Sequence, residues 1–316
     1  RADPPQAAAL ARELPGVALG RGRFRTASLR GADLIALSPG IDRRGPEVAA
    51  AIRYGTPVAG DVELFALELM RIAQPMPAII AITGTNGKST VTCMTGDICR
   101  AAGLDTVVAG NIGLPVLDAL TSIENGRKMP EAFVLELSSF QLESTSSLAA
   151  DAAAMLNLSE DHLDRYASIE EYTAAKARIF NGSGAQVINR NDVRSAAMAR
   201  PGRAVWSFGV DAPDAENAWG IAQHERRAWL ARGKRPVMAV DDLPVAGLHN
   251  AANALAAGAL CHAIGIGDKP VVDALRQFKG LPHRVERVAV IDGVTYYNDS
   301  KGTNVGSTAA ALNGFD

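Results

Sequence analysis

Apolar positions in this chain come in short runs with at most a polar residue at one end, not in strict alternation with polar ones. The runs are Leu34–Leu37, Pro57–Ala59, Ile79–Ile82, Thr106–Val108, Ala132–Glu136, Ala152–Leu156 and Gln186–Ile188. Runs of this length predict strands buried on both faces. Between them, Pro46–Arg53, Val62–Met70 and Val91–Ala102 have helical spacing, and Leu248–Ile264 reads as an alanine-rich helix. Strand and helix in alternation predict a mostly parallel sheet covered by helices, an α/β architecture. Trp219–Met238 reads as a local β excursion, with short strands at Ala228–Leu230 and Pro236–Val240. Val285–Ile291 and Val294–Tyr297 flank Asp292-Gly293, the signal of a hairpin, and Thr308–Leu312 is helix-like.

Two breaks divide the pattern. Pro75 and Pro77 punctuate one, and Gly280-Leu281-Pro282 the other. The expected domains are therefore 1–74, 75–280 and 281–316. The alternation reads as cut at both ends, since the chain opens on Arg1 without Met and stops just after a helix-like stretch. A partial chain is expected.

Composition narrows the classes. The chain has 316 residues, 47% of them hydrophobic, and a net charge of −2. That gives no basic surface for nucleic acid or an anionic membrane. No run of 18 apolar residues and no signal peptide is present, so no membrane insertion and a cytoplasmic location are expected. Cys93, Cys99 and Cys261 form neither a disulfide framework nor a metal quartet, and read as buried thiols.

The richest chemistry lies at Pro77–Cys93. A buried strand runs into Gly84-Thr85-Asn86-Gly87-Lys88-Ser89-Thr90 and then into a helix. Glycines let backbone N–H groups curl around phosphate oxygens, and the helix N-terminus adds partial positive charge. Lys88 can reach outer phosphates and Ser89 can ligate Mg²⁺. The strict G-x-x-x-x-G-K-[ST] pattern is not met, because Ile82 stands where its first Gly should be. An ordinary turn is the competing reading.

Other polar groups gather at predicted strand ends. Glu136 closes a strand where open parallel sheets bind ligands, and can hold Mg²⁺ through oxygen; a capping or surface Glu is the alternative. The cluster from Asn157 to Arg165 follows another strand and contains His162, which by itself reads as structural. Ser168-Ile169-Glu170-Glu171 is a capping box for the helix carrying Lys176. Read by itself, Lys176 is a solvated helix lysine. Asn250 and Asn253 suit a base edge, with N-capping by Asn250 as the alternative. Arg284, Asp299 and Lys301 lie beyond the second break, where Arg284 and Lys301 can bring positive charge to a nucleotide.

Taken in order, the blocks ITGTNGKST, GNIGLP, LELSSFQLE, LNLSEDHLDRY, EYTAAK, GLHNAANALAA, GLPHR and NDSKGTNVGST resemble the Mur ligase family over nearly the whole chain. LELSSFQLE and NDSK-x-TN are the more specific parts; the phosphate loop is shared more widely. The resemblance implies a three-domain α/β enzyme. Its central sheet is P-loop-like, its Rossmann-like N-terminal domain is partial here, and its α/β C-terminal domain is truncated. It implies a monomer that uses ATP and Mg²⁺ to join D-glutamate to UDP-N-acetylmuramoyl-L-alanine through an acyl phosphate, in cell-wall peptidoglycan synthesis.

The resemblance also implies roles. Gly84, Thr85, Asn86, Gly87, Lys88, Ser89 and Thr90 hold the ATP phosphates. Ser89 and Glu136 hold Mg²⁺. Asn111 and His162 touch the muramoyl-alanine end or its metal. Lys176 is carbamylated, which turns a cation that would repel the metal into an oxygen ligand. Asn250 and Asn253 flank adenine, and Arg284 and Asp299 meet the nucleotide. Lys301 and Thr303 line the reacting end. Arg1 and the turn at Gly40 border the uridine nucleotide. One departure stands out: Gly302 occupies a position where Ala is expected. Two other readings remain. A folylpolyglutamate synthase shares the phosphate loop but should lack LELSSFQLE and NDSK-x-TN. A non-catalytic nucleotide-binding module is the other, given so little of a closing domain.

Overall fold

A computed structural model describes residues 6–302 and 305–312. The backbone gathers into two compact units, residues 1–61 and 62–316. In the first, β1 (Ile35–Ala36) pairs in parallel with β2 (Val58–Ala59). The helix between them, Pro46–Arg53, starts on a proline and buries Val48 and Ala51. Proline suits that start because its missing N–H has no helical partner there.

The second unit is built on nine strands. In chain order these are β3 (Ala78–Thr83), β4 (Thr106–Gly110), β5 (Ala132–Glu136), β6 (Ala152–Met155), β7 (Ala185–Asn189), β8 (Val205–Phe208), β9 (Ala218–His224), β10 (Arg227–Arg232) and β11 (Arg235–Ala239). They lie side by side as β11-β10-β9-β8-β7-β6-β3-β5-β4. The pairs from β4 to β9 are parallel, and those of β10 with β9 and β11 are antiparallel. The stretch expected as a local β excursion is thus an extension of the main sheet. It was misread because β8, which links it to β7, has half-buried Val205, Trp206 and Ser207 and no apolar run. A separate hairpin, β12 (Glu286–Ile291) with β13 (Val294–Asn298), turns at Asp292 and Gly293 as the sequence predicts.

Successive residues of the central strands feed two cores. Ile80, Ile82, Val134 and Ala154 face the helices Lys88–Ala101, Leu248–Ala263 and Asp268–Leu275. Ile79, Ala81, Phe133, Leu135 and Met155 face Asp61–Ile72, Val116–Glu124, Ser139–Glu143 and Ile169–Ala177. Both strand faces are buried, which is why the runs are continuously apolar. Gly258 has a packing reason inside its helix: a Cβ there would sit 2.8 Å from the fully buried Trp219 ring.

Smaller corrections have local causes. The phosphate-loop helix begins at Lys88, three residues before the apolar spacing starts. Gly247, not Asn250, is the N-cap of the alanine-rich helix. Ser168 caps its helix through the Glu171 N–H, yet Glu171 takes the Ala167 N–H instead of closing a box on Ser168. Cys99 and Cys261 are buried as expected, whereas Cys93 is partly exposed.

The architecture sets the site. The chain leaves β3 for β4 on one side, and β6 lies on the other. Connections diverge at β3, and ligand crevices form outside carboxyl ends at such a point. The ends of β3, β4, β5 and β6 lie in register there, with Ile82 opposite Glu136, Gly110 opposite Glu136 and Thr83 opposite Met155.

Candidate active site

The loop after β3 is tied to the end of β6. The Thr85 N–H donates to the Asn157 carbonyl at 2.9 Å. The Asn157 side chain accepts from the Asn86 N–H at 2.8 Å and donates to the Asn86 carbonyl at 3.0 Å. Gly87, at φ +81°, turns the chain into the helix that starts at Lys88. A Cβ on Gly87 would lie 2.5 Å from Asn253 Oδ1, so the asparagine helix touches the loop here; that side chain can move, and it is the positive φ that favours glycine. Lys88 Nζ donates to the Gly84 and Thr85 carbonyls at 3.1 and 2.8 Å. Burial pulls its pKa down, against the opposing attraction of Glu136 and Asp161.

Glu136 ends β5 and is 2% exposed. Its Oε1 accepts from Asn111 Nδ2 at 3.0 Å, and its backbone carbonyl accepts from the Asn111 N–H at 2.8 Å. Oε2 is buried with no protein partner. A buried carboxylate oxygen left unbonded is costly unless something binds it. Like the Ser89 hydroxyl, which lines the same cleft, it is the hard oxygen donor type Mg²⁺ prefers. The residues present therefore fit a divalent cation.

Lys176 is 2% exposed, which overturns its reading as a solvated helix lysine. Nζ donates to the Gly84 carbonyl at 2.8 Å and to Thr83 Oγ1 at 3.1 Å, and sits 4.9 Å from the Tyr172 ring centre. Lys88 and Lys176 thus share one carbonyl. Burial first, and repulsion from Lys88 second, hold the Lys176 amine well below the usual lysine range. Tyr172, one helical turn earlier, places its hydroxyl 3.3 Å from Thr85 Oγ1. His162 packs its ring on Phe140 at 4.8 Å and near Tyr172 at 6.3 Å, beside Asp161. Its φ of +54° marks a strained loop position.

The segment after Phe278 approaches the same loop. Arg284 donates to Ser89 Oγ at 2.8 Å. Asp299 accepts the Val285 N–H, and the Lys301 N–H donates to the His283 carbonyl. A Cβ on Gly302 would be 2.6 Å from Asp299 Oδ2, so the unexpected glycine leaves that carboxylate its present place. Asn250 donates to the Ala246 carbonyl, and Asn253 bonds weakly to Asn250 at 3.4 Å.

These groups surround a cleft of about 1000 Å³. Residues 85–90, Asn111, Glu136, His162, Asn250, Asn253, Arg284, Asp299 and Lys301 all line it. Lys176 and Gly84 lie behind the loop instead of on the cleft wall. Gly40 is an exposed turn residue of the first unit. Arg1 and Thr303 lie outside the described residues. Sequence reasoning left Asn157 and Asp161 inside a polar cluster without roles, and missed Tyr172, Asn189, Asp192 and His249. Of these, Asn157, Asp161, Asn189, Asp192 and His249 line the cleft. Asn189 and Asp192 had a usable signal, since they follow a predicted strand as Asn157 does. Tyr172 had none beyond its spacing of four from Lys176.

The Mur ligase middle domain matches residues 82–261, and a Mur ligase MurD-like N-terminal domain matches residues 1–60. The chain belongs to the Mur ligase family. Among curated Mur ligases it is 56% identical to UDP-N-acetylmuramoylalanine--D-glutamate ligase of Thiobacillus denitrificans, over 99% of this chain and 68% of that protein. The ligase of the same name from Methylobacillus flagellatus is 54% identical over 100% and 68%. Two solved Mur ligases share the fold at much lower identity. MurF from Acinetobacter baumannii has a TM-score of 0.62 at 21% identity, covering 91% of this chain and 69% of that one. UDP-N-acetylmuramate-alanine ligase from Thermotoga maritima has 0.60 at 21%, covering 92% and 65%. Among the described residues of this Mur ligase, no helix is long and apolar enough to cross a membrane.

Proposed function

We propose that this chain is an ATP-dependent amide ligase that joins D-glutamate to UDP-N-acetylmuramoyl-L-alanine in peptidoglycan synthesis. The observation that carries the reading is identity above half, along the whole chain, to two ligases whose names give that product. The cleft geometry supports it with the chemistry amide formation needs.

A carboxylate is a poor electrophile. In the proposed reaction its oxygen attacks the γ-phosphorus of ATP, and ADP leaves. The D-glutamate amine then attacks the acyl phosphate carbon and loses a proton. Phosphate departs from the tetrahedral intermediate with one former carboxylate oxygen. Reactants of like charge must be gathered by cations and dipoles fixed beforehand. Residues 84–90 are assigned to the phosphates, with Lys88 turning from loop carbonyls to the outer phosphate oxygens. Arg284 and Lys301 add positive charge, Asp299 meets the nucleotide, and Asn250 and Asn253 flank the base. Asn111 and His162 are assigned to the muramoyl-alanine end, and Thr303 to the D-glutamate end. Mg²⁺ held by Ser89 and Glu136, with His162 nearby, would shield phosphate charge.

Lys176 is proposed to add CO₂ at Nζ, giving a carbamate and a proton. Two features support this. The amine is buried and neutral enough to be a nucleophile, and it shares the Gly84 carbonyl with a second lysine, an arrangement that disfavours two ammonium groups. We further propose residues 1–74 for the uridine nucleotide, 75–280 for ATP and 281–316 as the start of a closing domain, in a cytoplasmic monomer. Arg1 and Gly40 belong to the first of these sites.

The test is phosphate release by the full-length protein. It should require ATP, UDP-N-acetylmuramoyl-L-alanine and D-glutamate together, and Lys88→Ala should abolish it. Release without D-glutamate, or near-normal turnover in Lys88→Ala, would overturn the assignment.

A further inference from the structure

Arg178 has no place in the chemistry above, yet it is bonded like a residue with a task. It ends the helix that carries Lys176 and Tyr172. Among the described residues it has no carboxylate partner. Its guanidinium instead meets two main-chain carbonyls of another element. Nε donates to the Leu142 carbonyl at 2.7 Å and to the Thr145 carbonyl at 3.1 Å, and Nη2 donates to the Thr145 carbonyl at 2.6 Å. Those carbonyls close the Ser139–Glu143 helix, where a cation also complements the helix dipole.

That short helix follows Glu136 directly. Its start is fixed two residues after the carboxylate, where Ser138 and Gln141 form a full capping box. Its far end is fixed twice. Arg178 takes the carbonyls, while buried Glu63 takes the N–H and hydroxyl groups of Ser146 and Ser147 at 2.6–3.0 Å. The helix is therefore a rigid piece with Glu136 on one side and Arg178 on the other. Arg178 is itself two residues from Lys176.

We infer that Arg178 is a positioning residue of the ligation reaction: by clamping the Ser139–Glu143 helix it sets Lys176 and Glu136 relative to each other. This rests on the ligase reading given above. Besides its contacts with Lys176 and Tyr172, the phosphate loop has anchors of its own in Asn157 and Ser159, which Arg178 does not touch. Loss of the clamp should therefore disturb the placement of the reacting groups and spare nucleotide affinity.

The experiment compares Arg178→Ala and Arg178→Lys with the parent in the full-length protein, at a temperature well below each unfolding midpoint. Arg178→Ala should lower kcat by roughly 10–100-fold with KM for ATP within about threefold, because misplacement of about 1 Å is enough for such a loss. Arg178→Lys keeps the charge but not the fork, and should fall between the two. Added guanidinium at low millimolar concentration should restore part of the Arg178→Ala rate. Unchanged kcat in folded Arg178→Ala, with only the melting temperature lowered, would make Arg178 merely structural and overturn the proposal. An equal rise in KM for ATP without loss of kcat would overturn it too. Failure of the underlying reading looks different: the parent protein itself would not release phosphate in response to D-glutamate.

Discussion

Gly110 offers the sharpest test of how the site is held. It closes β4 at φ +114°, and a Cβ built on it lies 2.2 Å from the Glu136 carbonyl oxygen. That oxygen is main chain, at the end of the strand, and is held in place by the Asn111 N–H, so it cannot swing aside as a side chain would. In Gly110→Ala the two strand ends must part by about 1 Å to clear the 3.0 Å below which such contacts do not occur. Three costs follow. Alanine in that backbone region costs about 1–3 kcal/mol. The bond from the Asn111 N–H to the Glu136 carbonyl is stretched or lost, about 0.5–1.5 kcal/mol. The Glu136 carboxylate and its Asn111 partner shift together. A total of roughly 2–4 kcal/mol should lower the melting midpoint of the sheet unit by about 5–10 °C. Activity should fall further than stability suggests, by about 100-fold in kcat, because the displaced group is Glu136 itself. Differential scanning fluorimetry and a coupled phosphate-release assay at 20 °C measure both. A variant that keeps parental kcat while losing only stability would show that the exact seat of Glu136 does not matter. That result would remove it from the reacting centre.

Two further outcomes are expected. Lys176→Ala should be nearly inactive yet partly rescued by acetate, which supplies the missing oxygens, whereas Lys176→Arg should not be rescued; normal activity in Lys176→Ala would refute the role given to this buried amine. Burial works to raise the carboxyl pKa of Glu63, but bonds from Ser146 and Ser147 outweigh it and hold the pKa below its ordinary value. A depressed folded-state pKa gives stability that is present above the unfolded value and lost as pH falls through the folded one. Glu63→Gln should therefore flatten the acid limb of the stability–pH curve, and an unchanged limb would show that these bonds do not govern it.

Much of this could be read from the residues. The central strands were legible because burial on both faces leaves an unmistakable apolar run, and the phosphate loop because its glycines and lysine sit between a strand and a helix. β8 was not, since its half-buried residues carry neither an apolar run nor strict alternation. Lys176 shows the deeper limit. Its helix has almost no amphipathic signal, so the spacing places Lys176 on no particular face. Only the three-dimensional meeting of β3, Tyr172 and this helix puts the amine beside Gly84. Arg178 was illegible for a similar reason, because its partners are carbonyls, which carry no trace in side-chain pattern.

The division of the strands between two cores has a consequence for how such an enzyme can change. The helix that starts at Lys88 and the one bearing Asn250 and Asn253 rest on one face of the sheet, while those bearing Lys176 and following Glu136 rest on the other. Packing substitutions on one side need not be compensated on the other, since distant sites contribute almost independently. A lineage could therefore repack the core on one face while the core on the other stays as it is. Identity can fall to about a fifth, as between this chain and its solved neighbours, with the fold still shared. On this view the sheet is a partition across which two cores can be repacked one at a time, while the cleft at its edge stays common to both.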